Sequence, residues 1–133
     1  MVKHFGLGRK ERLKSRKQID ALFLNGRRFV QFPLRVTYQF FPAEEALAQI
    51  GVTASRKSFK KAVDRNRLKR LMRESYRLQK QLLLPSLESK KLKAIVFFMY
   101  ADKTIASFDT VSDAMSKALM KLQKAALQYE NPA

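Results

Sequence analysis

The stretch RNRLKRLMRESYR, residues 65–77, sets five arginines and one lysine against a single glutamate. The chemistry such a cluster offers is anion recognition. A guanidinium forks two hydrogen bonds onto a phosphate and stacks on bases, whereas an ammonium acts as a point charge. Laid out at about 100° per residue over 64–83, Leu68, Leu71, Met72, Ser75, Leu78 and Leu82 share one side. Asn66, Lys69, Arg70, Arg73, Arg77 and Lys80 share the opposite one. Arg65 and Arg67 flank the boundary, and Lys60 and Lys61 extend the charge toward the helix start. Asp64 and Glu74 are the only acids between 56 and 80. A merely solvated helix face mixes signs, because like-charged neighbours one turn apart cost a few tenths of a kcal/mol. A ridge without that relief is expected to face a polyanion.

Other chemistries find little support. His4 is the single histidine, in the glycine-containing start MVKHFGLGRKER, and there is no cysteine. No carboxylate pair, metal-ligand spacing or glycine-rich phosphate loop stands out, and Gly6 and Gly8 precede no strand-to-helix turn. Asp102 and Asp109 read as loop and cap residues. The expectation is no catalytic residue and no metal site on the protein.

The elements that must hold the ridge follow from composition and periodicity. The chain has 133 residues, 46% of them apolar, with Gly and Pro at four each, which fits one folded domain over 1–133. Residues 1–12 read as a flexible arm. The excess of 28 Lys and Arg over 11 Asp and Glu gives +17, a self-repulsion that a nucleic acid would neutralise. The apolar run at 94–101 is too short to span a bilayer and the N-terminus lacks a signal-peptide pattern, so a soluble, cytoplasmic protein is expected. Ser15 and Gln18 form a capping box for a helix over 15–24, closed by Asn25-Gly26 in a left-handed turn. A short edge piece near 28–32 precedes Pro33. Residues 34–41 alternate, 47–54 are strand-like, and the short link between them favours an antiparallel hairpin. The segment 92–100 is apolar on both parities and belongs in the middle of a sheet. Thr110 and Asp113 read as the capping box of a last helix whose Val111, Ala114, Met115, Ala118, Leu119, Leu122, Ala126 and Tyr129 form its buried stripe. Lys117, Lys121 and Lys124 fall outside that stripe. The order of elements predicts an α+β, two-layer fold with a small mixed sheet.

The string TASRKSFKKAVDRNRLKRLMRESYR, residues 53–77, resembles the signature of the protein subunit of bacterial ribonuclease P. The flanking helix, hairpin, apolar strand and final helix extend the resemblance over about residues 9–128. It implies a ribosomal protein S5 domain 2-like fold, with a four-stranded sheet and a left-handed βαβ crossover. It also implies a protein that helps a catalytic RNA remove the 5′ leader of precursor tRNA, with Mg2+ held by the RNA. Carried over by position, Arg65, Asn66, Arg67, Lys69, Arg70 and Arg73 would contact that RNA, and Arg77 continues the same ridge. Ser55, Arg56 and Lys57 would lie beside the leader path, and Phe23 matches an aromatic that lines the leader cleft. Ile19 stands where the family often has a second aromatic, and is taken as part of the leader-binding set. Thr37 stands where some members have Tyr. The free protein is expected to be a monomer that binds no membrane. The alternative is a structural, ribosomal-type RNA-binding protein. A DNA reader is disfavoured because no short helix-turn-helix partner precedes residue 60.

Overall fold

Residues Leu92–Tyr100 (β4) bury Ala94, Val96 and Phe98 on one face and Ile95 on the other, so this strand needs cover on both sides. In the computed structural model, which describes residues 8–130, it has that cover. β4 lies inside a four-stranded sheet whose order is β1 (Arg27–Gln31), β2 (Leu34–Pro42), β4, β3 (Leu47–Ala54). Strands β1 and β2 form an antiparallel hairpin, with a cis Phe32–Pro33 peptide at the turn. β2 runs antiparallel to β4, and β3 runs parallel to it.

The hairpin expected between 34–41 and 47–54 is therefore not formed. β4 lies between those two strands, because a strand apolar on both faces gains most in the middle, whereas β2 and β3 each offer one strongly buried face. Joining parallel neighbours requires a crossover. Here α2 (Ala62–Gln79), a 3-10 turn at Lys80–Leu82 and α3 (Leu84–Lys90) supply it. Helix α4 (Phe108–Leu127) follows β4.

Side chains of alternate parity divide the core. Leu34, Val36, Ala94, Val96 and Phe98 pack with Leu68, Met72 and Tyr76 of α2 and with Met115, Leu119 and Leu122 of α4. On the reverse face, Leu22 of α1 (Arg16–Asn25) packs with Ile95 and Leu13, and Ile19 and Phe97 close over them. Among the described residues, the main sheet and helix layers are thus joined by one short helix on the back, which leaves part of that face open.

Local sequence explains most boundaries, and the structure corrects several expectations. Ser15 accepts a hydrogen bond from the Gln18 N–H at 3.4 Å and starts α1 as read from the capping pattern. Its end is different: Gly26 is extended (φ −77°), not left-handed, because the chain passes straight into β1. Glycine is needed there for space. A Cβ would lie 2.6 Å from the Leu22 carbonyl oxygen and 2.9 Å from that of Tyr38. The cap of α4 is Ser107, whose hydroxyl accepts from the Thr110 N–H at 3.2 Å, so the helix starts three residues before the Thr110/Asp113 box.

Helix α2 is also shorter than the 64–83 wheel assumed. Its buried stripe is centred between Met72 and Tyr76, which leaves Leu78 48% exposed and puts Tyr76 in the core against Phe98. After Gln79 the backbone turns, and Lys80 swings inward to 4% exposure, donating to Glu11 at 3.0 and 3.2 Å. It is not part of the outer ridge.

That ion pair bears on the expected arm at 1–12. Residues Arg9–Glu11 form a 3-10 turn, Arg12 bridges to Ile50 and the Gln49 side chain donates to the Lys10 carbonyl. The later part of the arm is anchored along β3, and residues 1–7, with His4 and Gly6, lie outside the described residues.

Gly26→Ala should lower unfolding stability by about 1–3 kcal/mol in urea melts, since backbone atoms rather than a mobile side chain fill the space. Gly8→Ala, with nothing within 4 Å, should leave the melting curve unchanged.

Candidate nucleic-acid interface

Burial of Leu68, Met72, Ser75 and Tyr76 fixes the rotation of α2, and the rest of the helix turns outward as a consequence. Asn66, Arg67, Arg70 and Arg73 are exposed, and Lys69 is half-buried at the edge of the face. Lys60 and Lys61, also exposed, continue the charge before the first turn. Arg65 has a second task. Its Nη1 donates to the carbonyls of Phe59 (2.8 Å) and Lys60 (2.9 Å), pinning the loop that leads into the helix. Among the described residues, one carboxylate pairs with the ridge, Glu74, which takes two hydrogen bonds from Arg77 one turn away. Arg77 holds the Glu74 carboxyl below its ordinary range, chiefly through that hydrogen bond. Arg67, Lys69, Arg70 and Arg73 carry no such internal neutralisation among the described residues.

A second surface lies on the reverse face of the sheet, where α1 leaves it uncovered. Phe23, Phe97, Met99, Val30 and Thr37 wall a groove of about 460 Å³, with Arg28 and Arg35 among its lining residues. The Phe23 and Phe97 rings meet edge to face, with centroids 5.3 Å apart. Arg28 donates to the Phe23 carbonyl and so satisfies a free acceptor in the last turn of α1. Gly51, paired with Phe97 across the strands, makes room for that ring: a Cβ there would sit 2.6 Å from Phe97 Cδ1.

Of the residues expected along a leader path, Phe23 is in this groove. Ile19 is not; it packs half-buried against Leu13, Leu22 and Ile95. Ser55, Arg56 and Lys57 form the turn just after β3, where Ala54 pairs with Tyr100, one residue beyond Met99 of the groove. The Ser55 hydroxyl accepts from the Lys57 N–H at 3.1 Å, leaving Arg56 and Lys57 exposed. This loop runs from the end of the groove to the start of the ridge. The wheel and the motif did not single out Arg28, Arg35, Phe97 or Met99. Phe97 was legible in principle, as a large aromatic on the parity of β4 opposite the main core.

Among the described residues, no three His, Cys, Asp or Glu side chains gather closely enough to hold a metal ion. No helix there is long and apolar enough to cross a membrane.

A basic helix and an open aromatic sheet face on a small α+β scaffold define an RNA-binding class of domain. Comparison with known proteins narrows this. The family model Ribonuclease P matches residues 7–123. The ribonuclease P protein component of Porphyromonas gingivalis is 40% identical over 119 residues, covering 89% of this chain and 87% of that protein. That of Idiomarina loihiensis is 32% identical over 133 residues and 98% of both chains. Among solved structures, the ribonuclease P protein of Thermotoga maritima shares the fold with a TM-score of 0.63 and 24% identity, over 84% of this chain and 96% of that one. That of Staphylococcus aureus does so with a TM-score of 0.60 and 19% identity, over 86% and 95%. The chain belongs to the ribonuclease P protein component family.

Gly51→Ala should displace the Phe97 ring and weaken its edge-to-face contact. The check is loss of Phe23–Phe97 ring cross-peaks in NMR spectra, with α2 and α4 signals retained.

Proposed function

We propose that this chain is the protein subunit of a ribonuclease P ribonucleoprotein, in which a catalytic RNA removes the 5′ leader of precursor tRNA. The protein binds both the catalytic RNA and the leader. The observation that carries this reading is the exposed row of Asn66, Arg67, Arg70 and Arg73, set on a rigid helix and, among the described residues, opposed by one carboxylate already paired with Arg77.

Two folded RNAs brought together repel through their phosphates, and a cationic wedge lowers that repulsion. In the proposal Arg65, Asn66, Arg67, Lys69, Arg70, Arg73 and Arg77 form the wedge. A regular A-form major groove is too narrow for a helix, so the ridge seats on a junction or loop and reads shape. The groove beside Phe23 takes the single-stranded leader: aromatic rings stack on bases with little sequence preference, while Arg28, Arg35, Arg56 and Lys57 follow phosphates. Ile19, packed on Leu13, Leu22 and Ile95, helps hold α1 on the sheet, and Ser55 orders the turn that presents Arg56 and Lys57.

The chemistry is assigned to the RNA. Mg2+, where bound, supplies charge neutralisation and an activated water at the RNA site. In this reading the arginines and lysines of the chain act beside that site, where they neutralise phosphates. The free protein is a cytoplasmic monomer in this reading, its net charge of +17 opposing self-association.

The combined change of Lys69, Arg70 and Arg73 to Ala should abolish stimulation of precursor cleavage at low magnesium, with the circular dichroism spectrum unchanged. It should also flatten the salt dependence of RNA binding, by a log–log slope of about two to three. Normal activation by the folded variant would remove the ridge from the interface. Phe23→Ala should weaken binding of precursor tRNA more than of mature tRNA, measured side by side; equal losses would take the leader out of the groove.

A further inference from the structure

A third concave surface is used by neither the ridge nor the groove. Strand β1 begins at Arg27, opposite Tyr38, so from Gln39 onward β2 has, among the described residues, no strand partner on that side. The gap between the ends of α1 and α4 is a pocket of about 580 Å³, within the range of about 300–1,000 Å³ for small-ligand clefts.

Its floor and walls are aromatic. Phe40 lies buried, with the half-buried rings of Tyr38 and Tyr129 5.3 and 6.1 Å from it. Asn25, Gln39 and Gln128 line it with amides that both donate and accept, the functional groups that read base edges. Arg27 brings positive charge to one side. Along α4, Gln128 and Ala125 of the pocket continue upward to Lys121, whose ammonium lies 5.2 Å from the Phe29 ring centroid, next to Tyr38. Glu130 also lines the pocket, and its carboxylate repels phosphate but accepts from a base amino group or a ribose 2′-hydroxyl.

We propose that this pocket is a second RNA-contact site, which takes one unpaired nucleotide, its base against Tyr38 and Tyr129 and its phosphate on the Arg27 and Lys121 side. Stacking walls, amide donors and acceptors, and cations on one flank fit a nucleotide better than an apolar peptide. The inference rests on the RNA-binding function above, and on neither the ridge nor the groove. The nucleotide comes from the catalytic RNA or from the precursor, and the two are separated by experiment.

The full chain is titrated at several salt concentrations against a bacterial ribonuclease P RNA and, separately, against a leader-bearing precursor tRNA. Tyr129→Ala should weaken binding to one of the two by about five- to a hundredfold with the salt slope unchanged. Tyr129→Phe should restore it. Arg27→Glu, at an exposed position, should weaken the same RNA and flatten its salt slope. The RNA that responds identifies the source. Wild-type affinity for both RNAs in Tyr129→Ala and Arg27→Glu overturns the proposal, as does an equal loss in Tyr129→Phe. If Tyr129→Ala fails to fold by circular dichroism, Arg27→Glu and the exposed-site change Gln128→Ala decide alone: loss for one RNA supports the site and no loss removes it. The Lys69, Arg70 and Arg73 variant runs alongside. Loss in it with silent pocket variants sinks the pocket alone, and the reverse pattern sinks the ridge alone.

Discussion

The fold depends on burying both faces of Leu92–Tyr100. Phe98 and Val96 are wholly inaccessible on one side and Ile95 is nearly so on the other. Each large apolar side chain removed from water contributes about 1.5–3 kcal/mol, so exposing either face of this strand would cost several kcal/mol. One face takes α2 and α4, and the reverse takes α1. Because α1 is only ten residues long, it covers one end of that face. The same requirement that builds the core therefore leaves an open aromatic groove on the back and turns the polar side of α2 outward on the front.

Charge acts against this scaffold rather than within it. The part-buried ion pair between Lys80 and Glu11 ties the N-terminal segment to the end of α2, while the exposed arginines repel one another in solution. Such a surface persists only because the leucine, methionine and tyrosine stripe beneath it holds the helix in place. Because the helix backbone is already ordered, binding phosphate here costs side-chain freedom but little backbone freedom. The loop from Ser55 to Lys61, with two of its carbonyls held by Arg65, leads from the end of β3 into the ridge helix.

How much was legible in advance differed by element. Periodicity placed α1, β2 and α4 within a few residues, because each has an apolar repeat and a turn or cap beside it, whereas β1 was marked by Pro33, β3 by strand-like composition and β4 by a run apolar on both parities. It missed α3, a seven-residue helix too short to show a repeat, and carried α2 past Gln79, where nothing in the local pattern marks the turn. Lys80 looked like a ridge residue because the wheel assumes an unbroken helix, and Leu78 looked buried because the wheel was centred on leucines rather than on Tyr76.

The sequence by itself determined the basic helix, its rotation to within part of a turn, and the central place of β4, since hydrophobic periodicity and charge segregation are properties of neighbours along the chain. The RNRLKRLMRE motif and its flanks were enough to reveal the family. Only the tertiary structure decided which strands pair, that Arg28, Arg35, Phe97 and Met99 meet Phe23 in one groove, and that Tyr38, Phe40 and Tyr129 frame a pocket at the start of β1. Those arrangements join residues up to about ninety positions apart, and their partners are chosen by packing across the sheet, which no local repeat encodes.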